Sequence, residues 1–357
     1  MDSSYPAFLL ISVLLIMFLP FIPALHEWLR PSDVAPLQVR RNEINNLRYF
    51  ADSFRLTIAG MPAINLQKLK NVQTERTVSI SDKLHVVHQR LDGETATGYS
   101  RSTLQVLRKK NGIVIFVHDA SLPADSHSQA DLFAAADLRV GDGASLRACS
   151  AQGVITLGAD TVVHRWIDAP SIHVGSNASI DGRITALREI RFSGGSRFVR
   201  AGAPTMRFGD STATAAAAPQ APSPRKRYLL DDGAQQSAAL NQDGDYVVRG
   251  PYRLRPGTSV FGNIKTYGDL HLGARTCIAG SLVSNKDIVL ANGCSVLGPV
   301  ISQNDIVIGP DCRIGTPDAA TTMICRKLSI AAGCVVHGVI TTQDGALMTP
   351  RETPYAS

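Results

Sequence analysis

The chain has 357 residues, of which 44% are hydrophobic and 6% aromatic, and it carries a formal charge of +6. That length accommodates two or more domains, and sparse aromatics with 29 glycines suit thin β layers better than a large aromatic core. The arginines are scattered without an aromatic-interleaved stripe, which argues against nucleic acid, and six cysteines with no CxxC pair argue against a disulfide framework.

The first element is Ala7–Leu25, an uncharged stretch just long enough to cross a hydrocarbon layer as a helix. Residues 1–29 therefore read as a transmembrane anchor, with Phe8, Leu9, Leu10, Leu14, Leu15, Ile16 and Phe18 facing lipid and Trp28 at the interface. A signal peptide fits less well, because MDSSYP has no basic residue and Ala24–His26 is a poor cleavage site. Arg30, Arg40 and Arg41 follow the span, so the bulk of the chain is expected on the cytoplasmic side.

Residues 30–128 read as a membrane-proximal α+β region or coil cap. Ile44, Leu47, Phe50, Phe54 and Ile58 recur at helical spacing, which predicts a helix over Asn42–Ile58 packed on the adjoining domain. VSI at 78–80, LHVV at 84–87, LQVL at 104–107 and GIVIFV at 112–117 read as strands, with Asn111-Gly112 as a hairpin turn.

From Leu132 or Leu138 a repeat sets in. LRVGDGASL, ITLGADTVV, IHVGSNASI and IRFSGGSRF are spaced by seventeen or eighteen residues and place four turns in 129–203. The period then vanishes between 204 and 244, an Ala/Pro-rich stretch read as a flexible linker, whose Arg225-Lys226-Arg227 cluster reads as solvated charge. It returns most regularly at Tyr252–Asp269, Leu270–Asp287 and Ile288–Asp305, continues to 345, and leaves 346–357 as a polar tail with nothing to pack.

Each of those three units has apolar residues at positions one, three, nine and thirteen, with Gly262, Gly280 or Gly298 at the eleventh and a closing aspartate. One turn of a β-helix fits this period, the glycine marking a corner; a helical solenoid needs longer units. The fold class is thus all-β, a β-helix of about nine turns in two segments, preceded by one transmembrane helix and a small α+β region.

Repeats such as SVFGNIKTYGDLHLG, CSVLGPVISQNDIVIG and CVVHGVITTQDG resemble the bactofilins, bacterial polymer-forming cytoskeletal proteins. The resemblance covers about 132–345 apart from the linker. It implies a right-handed coil, filaments formed end to end without nucleotide, attachment to the inner membrane and a scaffolding role for envelope-shaping enzymes, with no cofactor. A split coil and the segment before it depart from the usual single coil. An end turn of any β-helix exposes unpaired edges, and the C-terminal turn is followed only by the tail; Leu328, Ile330, Val336, Val339 and Ile340 are therefore the expected self-association surface.

The competing class is a left-handed hexapeptide-repeat acyltransferase, which LGARTCIAGSLV, LANGCSVLGPVI and IGPDCR also resemble. Its base would be His164, His271 or His337, yet no acidic partner adjoins His271 or His337 in sequence, and Thr266, Ser284, Ser302 and Thr342 stand where that pattern prefers aliphatic residues. Cys294, Cys312 and Cys334 share the seventh position of their turns, where Thr258 and Thr276 stood earlier; small-residue packing accounts for them better than metal, since a ladder gives a line and ligation needs convergence. A lyase-type groove is a third reading of the column Asp269, Asp287 and Asp305, for which turn formation is the better account. No residue is expected to be catalytic, to hold a cofactor or to bind metal.

Overall fold

A computed structural model describes residues 5–22, 29, 48–61, 77–87, 105–109, 112–209, 238–240 and 245–350. Trp28, the Arg225-Lys226-Arg227 cluster and most of the Ala/Pro-rich stretch lie outside these. Two compact units divide the chain, 1–46 and 47–357.

In the first unit, helix α1 (Tyr5–Phe18) gives way to a 3-10 turn at Leu19–Phe21. Pro20 explains the break, since it has no N–H for the α-helical bond and its ring crowds the preceding turn. Among the described residues no helix is long and apolar enough to cross a membrane. Over the described part of the span expected at Ala7–Leu25 the α-helix stops at Phe18: its fourteen residues rise only about 21 Å against a hydrocarbon core of about 30 Å, and 23–25 lie outside the described residues. Leu9, Leu10, Leu14, Leu15, Ile16 and Phe18 are all exposed.

The second unit is a β-solenoid of about eleven turns. Its strands run from β1 (Thr77–Ser81) to β26 (Val335–Thr349), and each turn contributes one short strand to each of three faces. In the first coil one face stacks 113–116, 131–134, 148–151, 166–169, 183–186 and 200–203 in parallel register. In the second coil the regular repeats stack eighteen residues apart, Leu270 on Tyr252, Ile288 on Leu270 and Ile306 on Ile288. Alternation then sorts the side chains: Leu270, Leu272, Ile288, Leu290, Ile306 and Ile308 point inward and are buried. A single apolar core runs from Val87 to Met348.

The coil starts earlier than the repeat suggested, which accounts for the additional turns. β2 (Leu84–Val87) pairs in parallel with β3 (Ile113–Phe116), so Gly112 leads into a stacked strand rather than a hairpin, and Asn111 lies outside the described residues. The hairpin is β1 with β2, and Gln105–Leu107 is helical, with Leu107 buried beneath the first turns. The expected amphipathic helix is α2 (Tyr49–Ala59), packed on the coil as anticipated; 42–47 lie outside the described residues. At the other end, β26 reaches Thr349, so the first four residues of the expected tail are paired strand.

The largest departure lies in the middle. β11 (Arg197–Phe208) runs past the expected boundary at 204 and pairs antiparallel with β26, matching Phe198 to Ala346, Ala201 to Ile340 and Met206 to Val336. The C-terminal turns of both coils thus meet face to face, and coil polarity reverses across the seam. Phe192, Phe198 and Phe208 fill the interior beside it, their rings 4.6 and 4.9 Å from one another for the two stacked pairs.

Candidate functional site

The expected self-association surface is used within the chain. Leu328, Ile330, Val336 and Ile340 are buried and Val339 lies opposite Gly202. Serial reading of two segments hid this, because an open edge at the end of the first coil is as reactive toward β26 as another molecule would be, and it is tethered. The less covered end is the start of the second coil. β14 (Tyr252–Leu254) and β15 (Ser259–Val260) pair only with the following turn among the described residues. Tyr252 N–H donates to Asp269 O and Gly273 N–H to Leu254 O, so in a parallel ladder the backbone groups of Arg253, between them, face outward along the coil axis.

The three histidines separate. His271 sits on the outside of its turn, half-buried and in register with Arg253 and Val289. His337 lies at the seam, its Nδ1 2.8 Å from Pro204 O. His164 is bracketed by neighbours from adjacent turns: Nε2 is 3.1 Å from Ser145 Oγ, and Nδ1 is 3.1 Å from Asp181 Oδ2, whose other oxygen accepts from Ser179. That order, hydroxyl, imidazole, carboxylate, is what an acyl-transfer nucleophile requires. However, the flanking amides of Ser145, Val162 and Ser179 donate along the coil axis to Ser126, Ala144 and Thr161, each at 2.8 Å, and the His164 side chain is 54% exposed. An oxyanion needs donors that converge on it, and these are committed elsewhere.

The ladders at the corners have backbone partners. Cys294, Cys312 and Cys334 donate to Gly273, Ala291 and Gly309 carbonyls at 3.2, 3.1 and 3.1 Å, as Thr276 does to Gly273 at 2.6 Å. All six cysteines are free thiols, and burial followed by the nearby Asp305 charge pushes Cys325 up to about 12. Thr266, Ser284, Ser302 and Thr342 are buried inward hydroxyls that bond corner carbonyls. Asp269 and Asp287 each accept the N–H of the aspartate one turn on, at 3.3 and 3.1 Å, and Asp305 forks with Arg326. These carboxylates stitch turns together.

One cluster had no signal in the sequence. Asp168 is fully buried on the outer side of its strand and accepts from Arg48 at 2.9 and 3.0 Å and Thr185 at 2.7 Å, with Arg55 2.7 Å away. Its hydrogen bond and charge hold the Arg48 guanidinium above its ordinary range despite burial. Arg55 also reaches Ser150 and the Ala151 carbonyl, and Phe54 packs edge-on against Trp166 at 5.2 Å. Helix α2 is thereby fastened along the flank of the first coil. Across the seam a groove of about 550 Å³ carries both signs of charge, Asp181, Arg197, Lys327 and Asp344 among its lining.

No family model matches the chain, and neither a curated protein nor a solved structure matches it.

Proposed function

We propose that this protein is a membrane-associated scaffold of the bactofilin type, a rigid double coil that joins copies of itself end to end and presents its flanks to envelope- or shape-determining factors on the cytoplasmic face of a bacterial inner membrane. The observation that carries the reading is the filled apolar interior, continuous through both coils, combined with the outward-facing backbone of β14. A coil with a sealed C-terminal seam has its N-terminal turns left for growth. The exposed apolar side chains of α1 support membrane association.

The test is electron microscopy and sedimentation of the purified protein with Arg253→Pro, which removes one outward N–H and no bond within the coil. Joined rods for the parent and single rods for the variant are expected; single rods for both would sink the assembly reading.

The alignment of Ser145, His164 and Asp181 favours a second reading, acyl transfer. Labelling of Ser145 by a fluorophosphonate probe, abolished by His164→Ala, would establish it in place of a purely mechanical role.

A further inference from the structure

Helix α2 is turned inside out relative to an ordinary surface helix. Its arginines point inward onto Asp168, and Ala51, Phe54 and Ile58 pack on the coil. Its outer side carries Tyr49, Phe50 and Leu56, exposed at 44, 46 and 72%, with Ser53 and Thr57 between them and the half-buried Asp52 at its edge. A helix facing water places its charges outside.

Arg183 stands against this face, and Arg165 and Arg200 belong to the turns on either side of it. Arg183 and Arg200 are register partners, and Arg165 stacks on Gly182 of the next turn. Arg183 holds its guanidinium over the Phe50 ring at 5.0 Å. The neighbouring carboxylates are engaged elsewhere: Asp168 by Arg48 and Arg55, Asp131 by Arg147, Asp181 by His164. No ion pair joins an acidic side chain to Arg165, Arg183 or Arg200 among the described residues, although the Asp131 charge faces Arg165 at longer range. Burial and then the Arg200 charge depress the Arg183 guanidinium below its ordinary range.

We infer that the outer face of α2, with Arg165, Arg183 and Arg200, is a second membrane contact that lays the flank of the first coil on an anionic bilayer surface. Aromatic and aliphatic side chains enter the headgroup region while the guanidinium groups meet lipid phosphates. The occupant is a bilayer rather than a polyanion because uncharged aromatic and aliphatic surface accompanies the charge, and because the apolar helix α1 stands about 25 residues upstream in the same chain. This rests on the membrane association proposed above and adds the site that orients the rod.

Flotation of the full chain with vesicles of phosphatidylcholine alone or with phosphatidylglycerol separates the two contacts. The intact chain is expected to float with both. With α1 disabled by Leu10→Asp and Leu14→Asp, binding should persist only on phosphatidylglycerol vesicles and vanish at high salt. In that background Arg165→Gln, Arg183→Gln and Arg200→Gln should each weaken binding about fivefold, and Leu56→Ser, at a side chain 72% exposed, should weaken it without shifting the melting temperature. The inference is overturned if the α1-disabled chain binds neither vesicle, binds both equally, ignores the substitutions, or binds a single-stranded oligonucleotide in preference to vesicles. An intact chain that floats with neither vesicle would instead refute the anchor.

Discussion

A left-handed residue recurs once per turn, at Asp125, Gly143, Asp160, Asn177 and Gly195 in the first coil and at Gly257, Arg275, Gly293, Asp311 and Gly333 in the second. Glycine and non-glycine largely alternate because a side chain at one corner leans over the next: a Cβ on Gly333 would lie 2.1 Å from Asp311 Oδ1, whereas one on Gly257 would meet nothing within 4 Å. Gly333→Ala is therefore expected to cost about 2–3 kcal/mol and Gly257→Ala about 1 kcal/mol, read from urea unfolding. Two of the glycines at the eleventh position of the repeat have another reason: a Cβ on Gly280 would sit 2.2 Å from the Gly262 carbonyl and one on Gly298 2.7 Å from that of Gly280, so stacked backbone keeps both bare, whereas Gly262 itself has a φ of 113°. Asp131 behaves differently from the turn-stitching carboxylates. Burial pushes its carboxyl above the usual range, against the opposing charges of Arg147 and Arg165. The folded state then binds the proton more tightly than the unfolded one, so stability falls as pH rises from the unfolded value near 4 through the folded one. Asp131→Asn should match the parent at pH 3 and exceed it at pH 7, in thermal melts across that range.

Among elements, α2 and β11 decide how the coil is used. Asp168→Ala leaves Arg48 and Arg55 without their shared carboxylate; because both guanidinium groups retain some exposure, the cost is expected near 2–3 kcal/mol rather than the larger figure for a fully buried pair. Hydrogen exchange should rise in 48–59 before it rises in the coil. At the seam, Phe198→Ala should cost about 3–5 kcal/mol by emptying the stack with Phe192 and Phe208. Ile340→Asp, which would break a dimer had β26 been an open end, is expected to lower the melting temperature and leave the oligomeric state alone, since Ile340 is buried opposite Ala201. The period-two and period-eighteen pattern made the strands and the inward residues legible. The clasp was illegible, because Asp168 occupies an outward position that any polar residue could fill and its partners lie about 120 residues away.

For the whole second unit, the seam makes the two coils one body. Cleavage at a protease site inserted between Thr212 and Pro219 should leave the fragments co-eluting and melting together, because β11 and β26 hold them through backbone pairing and a shared core. Separation of the fragments on size exclusion would refute that. What the sequence by itself determined was the coil: an eighteen-residue period, small residues at corners and aliphatic residues at alternate positions specify stacked β turns, since each turn contacts only its neighbours. Only the tertiary structure decided which ends remain free, where the arginines of α2 point, and that the second coil returns to meet the first. Local spacing specifies how a strand stacks on the next turn. It carries no record of contacts closed between segments far apart, which depend on two edges and their complementary surfaces being brought together in space.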